Sequence, residues 1–125
     1  MNQRFSKIEK LKSRKLIEKI FAEGNSVSKY PLKVFYTTTT YKNAPLAQAG
    51  FSVSKRNFKK AVDRNRIKRL MREAYRYQKP ILFNNLSTSY AFMFLYLGKE
   101  STDFKSIEKS MEQLLRKFLD KIASE

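Results

Sequence analysis

Between Lys60 and Tyr77 the chain sets Arg64, Asn65, Arg66, Lys68, Arg69, Arg72 and Arg76 into an apolar series of Ile67, Leu70, Met71, Ala74 and Tyr77. At roughly 100° of helical turn per residue, Arg64, Asn65, Lys68, Arg69, Arg72 and Arg76 fan across an arc of about 140°, and the apolar residues take the opposite side. Most charged helix faces are merely solvated and mix their signs. This arc has no carboxylate among its cations. Glu73 falls near Arg66 at the far boundary, so few i to i+4 acidic partners offset the like-charge repulsion. Arginine outnumbers lysine on the face, and its planar fork suits bidentate contacts with phosphate oxygens. The chemistry these residues can do is recognition of a polyanion.

Covalent and acid–base chemistry finds no comparable arrangement. The chain has neither histidine nor cysteine. It therefore lacks the usual general base near neutral pH, the usual thiol nucleophile and the commonest transition-metal ligands. Its 11 acidic residues are spread along the chain without the paired spacing of a two-metal site. Gly24, Gly50 and Gly98 are the only glycines and form no phosphate loop. No catalytic side chain and no protein-bound metal are expected, so any reaction supported here would be carried by a partner. Single-stranded nucleic acid also stacks on aromatic rings set among cations. Phe21, Tyr30, Phe35 and Tyr36 are the candidates, each equally readable as a core aromatic.

The elements that position these residues follow from length and pattern. A chain of 125 residues, 42% apolar, is one domain with a modest core. Its 27 basic against 11 acidic residues leave a net charge of +16, a self-repulsion that calls for a neutralising partner, nucleic acid by default. A membrane surface fits less well, since the basic residues lie on helices with core faces and on loops, without a Trp/Leu-rich insertion face. The absence of cysteine, of an apolar signal core in Met1 to Lys7 and of any bilayer-length run places the expected location in the cytoplasm.

Leu11, Leu16, Ile17, Ile20 and Phe21 recur at helical spacing before Gly24-Asn25, predicting a helix over about 13–23. Val27 to about Tyr41 is rich in β-branched and aromatic residues and predicts strands, followed by a turn over Lys42-Asn43-Ala44-Pro45. Residues 49–54 alternate as a strand with Phe51 and Val53 inward and Ser52 and Ser54 on the other face. The basic helix begins near Ala61 to Asp63, because Phe58 and Val62 would otherwise fall on its cationic side; Pro80 marks its end. Tyr90 to Leu97, apolar on both faces, predicts a central strand. Asp103 is placed as the N-cap of a last helix with Phe104, Ile107, Met111, Leu114, Leu115, Phe118 and Ile122 in its apolar stripe. The order is helix, three strands, helix, strand, helix.

Phe51-Ser52-Val53-Ser54-Lys55-Arg56 followed by Lys60 to Arg76, with Arg64-Asn65-Arg66 at its centre, resembles the signature of the protein subunit of bacterial ribonuclease P. Leu11-Lys12, Ile20-Phe21, Gly24, Ser26-Val27 and the last helix extend that resemblance over most of the chain. It implies an α+β fold, a single two-layer domain whose four-stranded sheet has a left-handed crossover through the basic helix, an exception to the usual hand. It also implies the function, binding the catalytic RNA of ribonuclease P so that the complex removes 5′ leaders from precursor tRNA. Magnesium is expected in the RNA–protein complex, bound mainly by the RNA. The implied assembly is a monomer in a one-protein, one-RNA holoenzyme. On this resemblance Lys55, Arg56, Lys60, Arg64, Asn65, Arg66, Lys68, Arg69, Arg72 and Arg76 contact the RNA, and Ile17, Phe21, Phe35, Tyr36, Ser52 and Ser54 line a cleft for the leader. Tyr36 is the first choice of strand aromatic and Phe35 the second. Ile17 stands where the family often has an aromatic, and the loop Arg56 to Lys60 lacks the family's usual glycine.

Overall fold

The computed structural model describes residues 10–40 and 43–124. Expectations for Met1 to Lys7 and for the Tyr41-Lys42 corner lie outside the described residues. The elements are α1 (Arg14–Glu23), β1 (Ser26–Lys29), β2 (Leu32–Thr38), β3 (Ala47–Val53), α2 (Ala61–Phe83), β4 (Tyr90–Tyr96) and α3 (Phe104–Ala123). The strands form one sheet in the order β1-β2-β4-β3. β1 with β2 and β2 with β4 are antiparallel, whereas β3 and β4 run parallel and are joined through α2. The all-apolar β4 is central, hydrogen-bonded on both edges.

Side-chain alternation assigns the two faces of the sheet. Leu32, Val34 and Tyr36 of β2, Tyr90, Phe92, Phe94 and Tyr96 of β4, and Ala47, Ala49 and Val53 of β3 meet the apolar stripes of α2 and α3. Those stripes are Ile67, Met71, Ala74, Tyr75 and Leu82 on α2 and Ile107, Met111, Leu114, Leu115 and Phe118 on α3. On the opposite face α1 lies over Ala91 and Met93, with Ile20 fully buried and Leu11 beside it. The sheet packed on α2 and α3 is the main body, and α1 covers part of the second face.

Local signals explain the ends of the helices. The Ser13 hydroxyl accepts from Leu16 N–H to start α1, and Gly24, at φ 69°, closes it in the left-handed conformation. Asp103 accepts from Ser106 N–H to start α3, which draws its carboxyl below the usual range. α2 begins at Ala61, as its helical phase predicts, but it does not stop at Pro80. Proline removes only its own N–H. The carbonyls beyond are met by Asn84 N–H on Pro80 O and Leu86 N–H on Leu82 O, while Leu82 is fully buried and anchors the extra turn. The stripe also drifts around the helix as it crosses the sheet, so that Tyr75 is fully buried whereas Tyr77 is 46% exposed and packs edge-on against Phe104.

Candidate nucleic-acid interface

The loop that feeds α2 is held by its own side chains. Ser54 Oγ accepts from Arg56 N–H at 3.1 Å, and Phe58 N–H donates to Ser54 O at 3.1 Å. Phe58 turns inward as the hydrophobic plug of the loop, its ring 5.9 Å from that of Tyr96. Ser54 thus shapes the loop from a position just beyond β3. No glycine is needed along this path, because each residue from Lys55 to Lys60 keeps negative φ.

Arg64 returns its guanidinium to this loop, donating from one Nη1 to Phe58 O at 2.7 Å and Lys59 O at 2.8 Å. Lys60 supplies no side-chain cap to α2; the Arg64 contact instead satisfies two loop carbonyls and ties the loop to the first turn of the helix. Asn65, Arg66, Arg69 and Arg72 are exposed along the helix, with Lys55, Arg56 and Lys60 exposed ahead of it; Lys68 and Arg76 are half-buried. Arg66 donates to Ser101 Oγ at 3.0 Å, and Arg72 lies 6.0 Å over the Phe51 ring. Glu73 comes off the boundary of the arc to pair with Arg76 at 2.8 Å, which raises the guanidinium pKa mainly through that hydrogen bond. Asp63 lies in the first turn, where its charge suits the helix dipole. The result is one helix face of exposed cations with a single paired carboxylate at its edge.

On the other face of the sheet α1 crosses β2 and β4. Thr37 donates to the Glu23 carboxylate and Lys19 Nζ to Thr38 O, tying the end of α1 to β2. Phe21 is 45% exposed, with its ring centroid 5.0 Å from that of Phe35. Lys33 Nζ stands 4.8 Å over the Phe35 ring. Ile17 is half-buried beside them. Across the sheet the rows Lys33-Leu95-Ser52 and Phe35-Met93-Gly50 continue this surface onto β3. The lining is therefore an aromatic pair under a lysine, bordered by small residues.

Tyr36 is not among them. Alternation along β2 sends it to the face under α3, where it is 3% exposed and its ring meets Phe118 at 4.8 Å and Tyr90 at 6.1 Å. The expected preference for Tyr36 over Phe35 is off by one residue of strand phase, and such a shift moves a side chain to the other face of the sheet. Nothing in the threonine-rich strand settles its phase; the pairing of Phe35 with Ser26 and the packing of α3 do. Sequence reasoning also missed Lys33, whose position on β2 places its ammonium over the exposed ring pair. Arg64, expected among the RNA contacts, has the loop carbonyls of Phe58 and Lys59 as partners.

A mixed sheet packed on helices, one of them carrying a cationic face, with an aromatic surface on the opposite side, defines a small basic α+β protein. The family model described as ribonuclease P matches residues 5–119. A ribonuclease P protein component of Porphyromonas gingivalis is 35% identical over 122 residues, covering 95% of this chain and 89% of that protein. Solved ribonuclease P proteins share the fold: that of Staphylococcus aureus has a TM-score of 0.69 at 24% identity, covering 86% of this chain and 93% of that one. That of Thermotoga maritima has a TM-score of 0.68 at 24% identity, covering 86% and 96%. This chain belongs to the ribonuclease P protein family, and its role lies in tRNA processing with ribonuclease P RNA.

Proposed function

We propose that the chain binds the catalytic RNA through α2 and its leading loop, and holds the single-stranded 5′ leader of precursor tRNA on the surface between α1 and the sheet. The observation that carries this reading is the one-sided cationic face of α2 in a chain of this family. Exposed arginines there can neutralise phosphates and release counterions, giving affinity that falls steeply with salt. Phe21 and Phe35, with Lys33 above, offer a stacking platform beside a cation, which suits unpaired nucleotides.

The protein's part in cleavage is positioning. On this reading magnesium acts in the RNA–protein complex, held mainly by the RNA. The working assembly on this reading is one protein with one RNA. The test adds the pure protein to bacterial ribonuclease P RNA and precursor tRNA at low magnesium. Stimulated removal of the 5′ leader is expected. Absence of stimulation overturns the proposal, and cleavage by protein alone would move the chemistry onto the chain.

A further inference from the structure

Tyr30 projects from the β1–β2 turn with 71% of its surface exposed. One exposed tyrosine is ordinary. This one borders an open pocket of about 380 Å³, at the small end of ligand sites, lined by Pro31, Tyr96 and the loop Gly98 to Thr102. The walls are preformed. Tyr96 donates its hydroxyl to Glu100 O at 2.7 Å, and the loop packs so closely that a Cβ at Gly98 would lie 2.6 Å from that hydroxyl oxygen. Leu97 N–H on Pro31 O ties the loop to the turn that carries Tyr30. Burial, aided by the neighbouring Tyr30 phenol, holds the Tyr96 phenol above its ordinary pKa, so it stays a hydrogen-bond donor.

The charge around this pocket is continuous with α2. Arg66 reaches its rim through Ser101 Oγ, Lys99 lines it and Lys29 precedes Tyr30. The nearby carboxylates are Glu100 and Asp103, and Asp103 is engaged as the cap of α3. A free aromatic face, hydroxyl-bearing walls and cations at the rim are what an unpaired nucleotide requires: stacking for the base, hydrogen bonds for its edge and cations for its phosphate. Tyr96 faces α2 and α3, whereas the α1 surface opens on the other side of the sheet.

We propose that Tyr30 and the Gly98–Thr102 loop form a second nucleotide-binding site that takes one unpaired base of the catalytic RNA beside the phosphates met by Arg66. The proposal rests on the reading of α2 as the catalytic-RNA surface. The chain contains no tryptophan, so Tyr30→Trp places a single stacking-sensitive fluorophore at the site. With ribonuclease P RNA alone, its emission should be quenched with affinity close to that of the unaltered protein. Tyr30→Ala should weaken binding of that RNA roughly tenfold while Tyr30→Phe keeps it, the size expected when one base loses its stacking partner. Unmoved tryptophan emission, or Tyr30→Ala affinity equal to the unaltered protein while Arg69→Ala is weakened, overturns this site and leaves the α2 reading standing. Quenching only when precursor tRNA joins the assembled complex also overturns it, assigning the base to the substrate. If the unaltered protein does not bind the RNA, the α2 reading fails first and this site with it.

Discussion

Arg64 and Arg69 belong to the same basic helix but meet different partners. Arg64 donates twice to the carbonyls of Phe58 and Lys59, whereas Arg69 is exposed. Arg64→Ala should therefore lower folding stability by about 1 kcal/mol, within the net worth of charged hydrogen bonds after solvent exposure is allowed for, and weaken RNA binding through a loosened loop. Arg69→Ala should leave the thermal midpoint unchanged and reduce the slope of log affinity against log salt by about one if it meets a phosphate. Paired denaturation and salt titrations separate the two. Tyr36 allows a test of opposite sign. Its hydroxyl is buried without a hydrogen-bond partner among the described residues, so Tyr36→Phe should be neutral or stabilising by about 1 kcal/mol and should not alter leader binding. Phe21→Ala should instead weaken leader-bearing precursor more than mature tRNA by about 1–3 kcal/mol if a base stacks there; equal losses for both RNAs would make it a packing residue.

Among the elements, α2 and α3 differ in how their ends are secured. α3 starts on the Asp103 carboxylate, whose folded pKa is depressed first by the Ser106 backbone hydrogen bond and then by the Ser106 side chain. A depressed carboxyl contributes stability above its unfolded pKa and loses it as pH falls through the folded value. Asp103→Asn keeps an oxygen acceptor but does not titrate, so its thermal midpoint should fall less steeply on acidification than that of the unaltered chain; parallel acid limbs would refute that. α2 instead carries Pro80 inside its last turns. Pro80→Ala restores the missing N–H and should raise the denaturation midpoint, by up to about 3 kcal/mol in stability, without changing RNA affinity. The strands gain less from local signals. Lys117 and Lys121 of α3 reach the outward carbonyls of Ser28 and Ser26, charging the β1 edge against pairing with another strand.

For the whole molecule, a charge of +16 on 125 residues means that the folded chain repels itself. Moderate salt should raise its thermal midpoint while weakening its RNA complex, two opposite responses from one cause that a melting series and a binding series would measure side by side. Much of this protein can be read from linear order. Helical phase located the start of α2 and its cationic face, two-sided apolarity placed β4 at the centre, and Asp103 marked α3, because periodicity and capping are properties of neighbouring residues. Long-range contacts had to be seen. Whether Phe35 or Tyr36 meets α1 depends on strand register, which a threonine-rich strand leaves open until β4 and α3 pack against it. The survival of α2 past Pro80 depends on the burial of Leu82 by the core. The Tyr30 pocket joins residues 30, 66 and 98–102 and so has no signature along the chain. The sequence by itself determined the elements and the sign and side of their charge. Only the tertiary structure decided which arginine holds a loop and which aromatic stays open, because both depend on packing between segments distant in sequence.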